Sequence, residues 1–225
     1  MMEFSDWGCI EYAEAWKKQK ELFDERVRSK DTANHFPDIA VFCEHPHVFT
    51  LGKSGVQENL LISNQLLQDR GVSFFRTDRG GDITYHGPGQ IVSYPIFDLE
   101  HFNIGLRQYI YKLEEAVILF LLDFGVKGER LEGATGVWLD VTIPGKTRKI
   151  CAIGVKSSRF VTMHGLALNI NTDLSYYNYI NPCGFTDKGV TSLEKETGIK
   201  QELDFCRKLL YQKYLQLFFN FEIEL

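Results

Sequence analysis

The chain has 225 residues, 44% of them apolar and 24% charged, which is enough to build a substantial core without disulfides or metals. Its longest unbroken apolar run, Ala116 to Leu122, falls far short of the ~20 residues that span a bilayer. The formal charge of −5 argues against bulk electrostatic binding to nucleic acid or an anionic membrane. The N-terminal residues show no basic region followed by an apolar stretch. The five cysteines (Cys9, Cys43, Cys151, Cys183, Cys206) are scattered, with no C-x-x-C pair. Together these features lead to the expectation of a cytoplasmic protein. No repeat, low-complexity tract or linker divides the chain, so one domain over residues 1–225 is expected.

In chain order, helical periodicity begins near Cys9 and continues to Arg28, through Ile10, Ala13, Trp16, Phe23 and Val27. A short buried strand is expected from Ile39 to Cys43, stopped by Pro46, then a helix at Ser63–Arg70 and a strand at Val72–Thr77. A Gly-rich loop, Arg79 to Gln90, leads into a strand at Ile91–Phe97. The clearest helix runs from Leu106 to Phe124, with a wide apolar stripe that ends at Gly125. Strands follow at Gly136–Val141, Lys149–Val155 and Val161–Ile170, the first two joined by a turn at Ile143–Lys146. A final helix covers Glu202–Phe219. Consecutive strands without intervening helices point to an α+β fold. Its sheet is expected to be mixed and largely antiparallel, with flanking helices packed on one side.

Three segments concentrate chemistry. Arg79-Gly-Gly-Asp-Ile-Thr-Tyr-His86-Gly-Pro-Gly-Gln90 exposes backbone N–H groups and lets a ligand approach the main chain, with Arg79, Tyr85 and His86 available to line a cleft. Arg148 to Gly154 is an apolar strand that carries Lys149, and strict alternation places Lys149, Cys151 and Ile153 on one face, Ile150 and Ala152 on the other. Two readings of that lysine stand: a stem that snorkels to solvent, or an amine held in the interior for chemistry. Asn181-Pro-Cys-Gly-Phe185 places Cys183 on a tight loop, where a thiol is accessible and a neighbouring Lys149 ammonium would make it nucleophilic.

Other motifs fail. Gly52-Lys53-Ser54 has the wrong spacing for a phosphate loop, and Cys43, His45 and His47 straddle Pro46 in no standard zinc pattern, so neither metal nor cofactor is expected. His164 reads equally as an auxiliary base for Cys183 or as a satisfied core histidine. Lys146, Arg148, Lys156 and Arg159 either form a basic patch or decorate an ordinary solvated surface.

The segments RGGDITYHGPGQ (79–90), KICAIGVK (149–156), HGLALNI (164–170) and NPCGFTDKGVTSL (181–193) occur in this order, with EHPHVFTLGKSG (44–55), YPIFDL (94–99) and GVWL (136–139) in support. In this the chain resembles the lipoyl(octanoyl)transferase family, from about Tyr12 to Leu217. The resemblance implies the fold of the biotin and lipoate protein ligase catalytic domain. It implies an acyl-accepting Cys183 tuned by Lys149, and an acyl site at Arg79, Gly80, Gly81, Asp82, Ile83, Thr84, Tyr85 and His86. To these it adds Ala152, Ile153 and Gly154, and Gly165, Leu166 and Ala167. It also implies octanoyl–acyl carrier protein as donor, and lipoyl domains of 2-oxo-acid dehydrogenase complexes and the glycine-cleavage H protein as acceptors. Ile83 for the commoner Val, Leu166 for a frequent Phe, and an extra thiol at Cys151 are the departures. An ATP-dependent lipoate–protein ligase and a non-catalytic acyl- or carrier-binding module are the rival readings.

Overall fold

The computed structural model describes residues 2–32, 36–181 and 188–221. The chain opens with β1 (Met2–Cys9), which the sequence reading lacked, before α1 (Tyr12–Ser29). β1 is an edge strand whose residues beyond Met2 are partly or fully exposed, so it shows no apolar alternation. It pairs in parallel with β2 (Asp38–Glu44). Next come β3 (Val48–Leu51), α2 (Asn64–Asp69), β4 (Ser73–Arg76), β5 (Ile83–His86) and β6 (Gln90–Ile96). The Gly-rich stretch is therefore not all loop, because β5 lies within it. After α3 (Leu106–Leu122) the chain forms β7 (Glu129–Leu131), β8 (Ala134–Leu139), β9 (Arg148–Ser158) and β10 (Val161–Asn169). β11 (Gly189–Val190), α4 (Leu193–Thr197) and α5 (Leu203–Phe219) complete it.

Among the described residues, eight strands form one sheet in the order β1-β2-β6-β10-β9-β8-β7, with β11 also paired to β9. The β1–β2 and β11–β9 pairs are parallel and the other five antiparallel, so the sheet is mixed and largely antiparallel as expected. A smaller sheet, β4-β3-β5, stands beside it. Every residue of β6 and β10 is buried, so both faces of the sheet centre need cover. α3 and α5 cover one face, packing Leu113, Val117, Phe120, Leu210 and Tyr214 against Phe42, Ile91 and Leu168. α1 lies on the other, setting Ala15 and Phe23 against Val41, Val92, Ile96 and Met163. The expectation of helices on a single side is thus corrected. No helix among the described residues is long and apolar enough to cross a membrane.

β9 departs from strict alternation. Trp138 faces Lys149 while its neighbour Val137 faces Cys151, so Ile150 is an extra residue in β9. This β-bulge re-aims the side chains on either side of it. Ile150 and Cys151 both enter the core under α3 and α5, whereas Lys149 turns to the opposite face with Ala152 and Gly154. Gly136 permits the bulge: its φ is +120°, and a Cβ there would sit 2.5 Å from the Cys151 carbonyl oxygen.

Candidate active site

The re-aimed face of β9 forms one wall of a cavity of about 310 Å³, at the small end of the ~300–1,000 Å³ usual for ligand pockets. β10 continues that wall with His164, Gly165, Leu166 and Ala167. The Gly-rich segment faces it with Arg79, Gly81, Asp82, Ile83, Thr84 and His86. Gly80 and Tyr85 do not line it. The Gly80 N–H instead donates to the Val155 carbonyl at 2.9 Å, fastening the loop to β9. Tyr85 points into the small sheet's core and shares a 2.7 Å hydrogen bond with His47. This approach of loop to strand requires Gly154, where a Cβ would lie 2.7 Å from the Gly80 carbonyl oxygen.

A chain of hydrogen bonds holds the inner wall. Arg79 is buried, and its guanidinium donates to the Gly80 and Asp82 carbonyls and to both oxygens of Thr50. The Gln90 amide nitrogen donates to the Tyr85 carbonyl and to Asn169 Oδ1, so Gln90 Oε1 must accept from His86 Nδ1–H at 2.8 Å. That leaves His86 Nε2 to accept from the Thr50 hydroxyl at 3.4 Å. Asn169 in turn donates to the Thr191 carbonyl, and the Thr191 N–H donates to the Lys149 carbonyl. One network therefore runs from Arg79 to the strand position of Lys149.

Behind this wall His45 Nδ1–H donates to the Ile10 carbonyl, so Nε2 accepts from the Tyr94 hydroxyl at 2.6 Å. Burial pushes the His86 pKa down to about 3 and that of His45 to about 4, so both are neutral imidazoles near pH 7. His164 has φ of +59° and is buried against Asp78, whose Oδ1 lies 2.7 Å from Nε2. Asp78 stays well below the usual carboxylate range, chiefly through that bond and next through Lys156 at 2.6 Å. As an ionised acceptor it fixes the proton on His164 Nε2. Burial lowers the His164 pKa despite this partner. His164 therefore belongs to a held His–Asp–Lys cluster.

At the other end the Lys149 ammonium sits over the Trp138 ring, 4.4 Å from its centroid. Trp138, Lys188 and Val190 join it around the cavity. Cys183 lies outside the described residues, as do the other residues 182–187 of its motif. Of its described flanks, the Asn181 N–H donates to the Asn59 carbonyl, whose side chain binds Asp82 of the wall, and Lys188 lines the cavity itself. Each described cysteine has its pKa pushed up by burial, and Cys151 beside Lys149 is no exception. No described group of three or more His, Cys, Asp or Glu side chains could hold a metal ion.

The family model of the lipoyl protein ligase A/B catalytic domain matches residues 11–214. The octanoyltransferase of Parabacteroides distasonis is 58% identical over 215 residues, 96% of this chain and 97% of that one. The chain belongs to the octanoyltransferases. The relative from Bacteroides thetaiotaomicron is 54% identical over 205 residues, 91% of this chain and 90% of its own. A bi-partite lipoate protein ligase from Thermoplasma acidophilum shares the fold, with a TM-score of 0.70 at 16% identity, covering 100% of this chain and 86% of that one. This protein is thus an acyltransferase, and its family membership supports octanoyl transfer in protein lipoylation.

Within this octanoyltransferase fold, Tyr12, Val92, Tyr94, Tyr177 and Lys188 also line the cavity, though the sequence reading did not select them. Tyr94 and Lys188 fall within the quoted segments 94–99 and 181–193, so both stretches were marked, and Tyr12 offered a signal of its own. It shares a helical face with Trp16 and Gln19, at i, i+4 and i+7, and Gln19 is a fully buried polar residue on that face. Three of the four members of the basic cluster are held in ion pairs, Arg148 with Asp140 and Glu196, Lys156 with Asp78, and Arg159 with Asp31, while Lys146 is exposed.

Proposed function

We propose that the protein moves an octanoyl group from octanoyl–acyl carrier protein to a lysine of a lipoyl domain, such as those of 2-oxo-acid dehydrogenase complexes or the glycine-cleavage H protein. The supporting observation is a largely apolar slot with the Lys149 amine at one end, on the wall to which the chain returns at Lys188 after Cys183. Of the described thiols, Cys43, Cys151 and Cys206 are buried and Cys9 is exposed but does not line the cavity, so Cys183 remains the candidate nucleophile.

The Cys183 thiolate attacks the thioester carbonyl, and the carrier's thiolate leaves and takes up a proton. The product is an octanoyl–Cys183 thioester. The acceptor lysine, entering as a neutral amine, attacks the same carbonyl, the C–S bond breaks, and the amine's extra proton goes to Lys149 or to the departing Cys183 sulfur. The first step exchanges one thioester for another and the second forms a more stable amide, so no nucleotide is consumed. While Lys149 is charged it favours the Cys183 thiolate. Once that sulfur is acylated the lysine loses its counter-ion, its pKa falls, and it can act as base for the incoming amine.

Intact-mass analysis after mixing the protein with octanoyl–acyl carrier protein, without ATP, tests this reading. The native chain should gain one octanoyl group, removable by hydroxylamine, and Cys183→Ala should gain none. A native chain that acquires the acyl group only when free octanoate and ATP are supplied would instead be a ligase.

A further inference from the structure

The two ends of the cavity differ in burial. Gly133, Thr135 and Gly189 are exposed at the Lys149 end, and Lys149 and Lys188 are half-buried. Tyr12, Val92, Tyr94 and His164 are buried at the other, with Tyr12 only 3% exposed. The cavity is thus open at the lysines and floored by rings. An acyl chain whose carbonyl is held near Lys149 must run inward, between Ile83, Ile153 and Leu166, towards that floor.

Tyr12 is fixed in place more tightly than a cavity wall requires. It stands at the first turn of α1, with its ring stacked on His86 at 6.0 Å and 10° between planes. The rings of His45 and Phe75 lie 5.3 Å away and that of Trp16 6.2 Å away. His86 is itself locked by Gln90 and Thr50, and His45 by Ile10 and Tyr94. This cage of packed rings resists displacement of Tyr12. Two turns further along α1, Gln19 is fully buried and its Oε1 accepts from the His164 N–H. A longer apolar chain forced past Tyr12 would have to displace these packed, hydrogen-bonded rings instead of gaining more hydrocarbon contact.

We infer that Tyr12 is the end stop of the acyl slot and fixes the chain length that this enzyme accepts. The inference rests on the acyl-transfer reading above. Each methylene that fits the apolar stretch favours binding by roughly fourfold, whereas the first one beyond Tyr12 gains nothing.

The test is the rate of protein acylation by hexanoyl-, octanoyl-, decanoyl- and dodecanoyl-acyl carrier protein, read by intact mass on the full chain and on Tyr12 variants. Tyr12→Ala should raise the decanoyl-to-octanoyl ratio of kcat/KM by roughly fifteenfold, the value of two added methylenes. Tyr12→Trp should move preference the other way, towards hexanoyl, and decides the matter alone if Tyr12→Ala does not fold. A length profile unchanged in folded variants, or a uniform loss at every length, overturns the assignment. A native chain that takes no acyl group from any of the four thioesters instead overturns the acyl-transfer reading on which it stands.

Discussion

The inner and outer ends of the cavity are built from different chemistry. At the inner end, Tyr12, Tyr94 and His86 are buried, and the two histidines of the ring cage, His45 and His86, are held neutral by desolvation and committed to hydrogen bonds. At the outer end two lysines are half-buried, one of them over the Trp138 ring. A rigid, water-excluding end discriminates by shape, since every misplaced atom is resisted by packing. A partly solvated end can change protonation state, as acyl transfer to an amine demands. The pocket thus separates recognition of the acyl tail from proton handling at its head.

The sharpest way to break this comparison is to remove the outer amine. Lys149→Met should lower transfer by about 10²- to 10⁴-fold, the usual contribution of a positioned acid–base group, with little change in thermal stability. Lys149→Arg should not restore it, since a guanidinium keeps its proton near neutral pH. Steady-state transfer of octanoyl to a lipoyl domain measures both, and full activity of either variant would move the proton handling elsewhere.

A second test protonates the inner end. The folded pKa values of His45 and His86, about 4 and about 3, lie below the unfolded value of ~6.5. The unfolded chain therefore binds more protons below pH 6.5. The stability from keeping these rings neutral is complete above that pH and is lost as pH falls towards 4, by up to about 1.4 kcal/mol per pH unit for each histidine. Denaturant unfolding across pH 7 to 4.5 should show this slope, and His45→Gln should remove about half of it. A flat profile would mean that the inner end tolerates charge.

The smallest expected effect lies at the joint between loop and strand. In Gly154→Ala the new methyl meets the Gly80 carbonyl oxygen at 2.7 Å and the Arg79 guanidinium at 3.2 Å. The loop must move, at a cost of about 1–3 kcal/mol in stability, with a higher KM for the octanoyl donor. An unchanged melting temperature and KM would show that the loop does not depend on this contact.

Much of the fold was legible from periodicity. The α3 stripe from Tyr109 to Leu121 and the largely apolar, fully buried β10 announce themselves, because one helix face or one central strand decides which residues are buried. The Gly-rich segment could likewise be read as a ligand wall, because four glycines among Arg, Tyr and His exceed what a turn needs. Other elements gave no local sign. β1 is an edge strand with one side to solvent, β3 has four residues, and β5 is hidden among glycines.

The sequence by itself determined the chemical inventory: a lysine in an apolar strand, a loop thiol, a Gly-rich wall and the helices that cover the sheet. Only the tertiary structure decided which way that lysine faces. The bulge at Ile150 depends on β8 and Gly136, which are distant in sequence, and one extra residue reverses the face of every side chain up to it. It also decided that Lys156 and Arg148 are spent on ion pairs, and that Tyr12 meets His45, Phe75 and His86 in one cage. Periodicity reports which side of an element is apolar. What stands opposite that side is set by the packing of segments that share no local pattern.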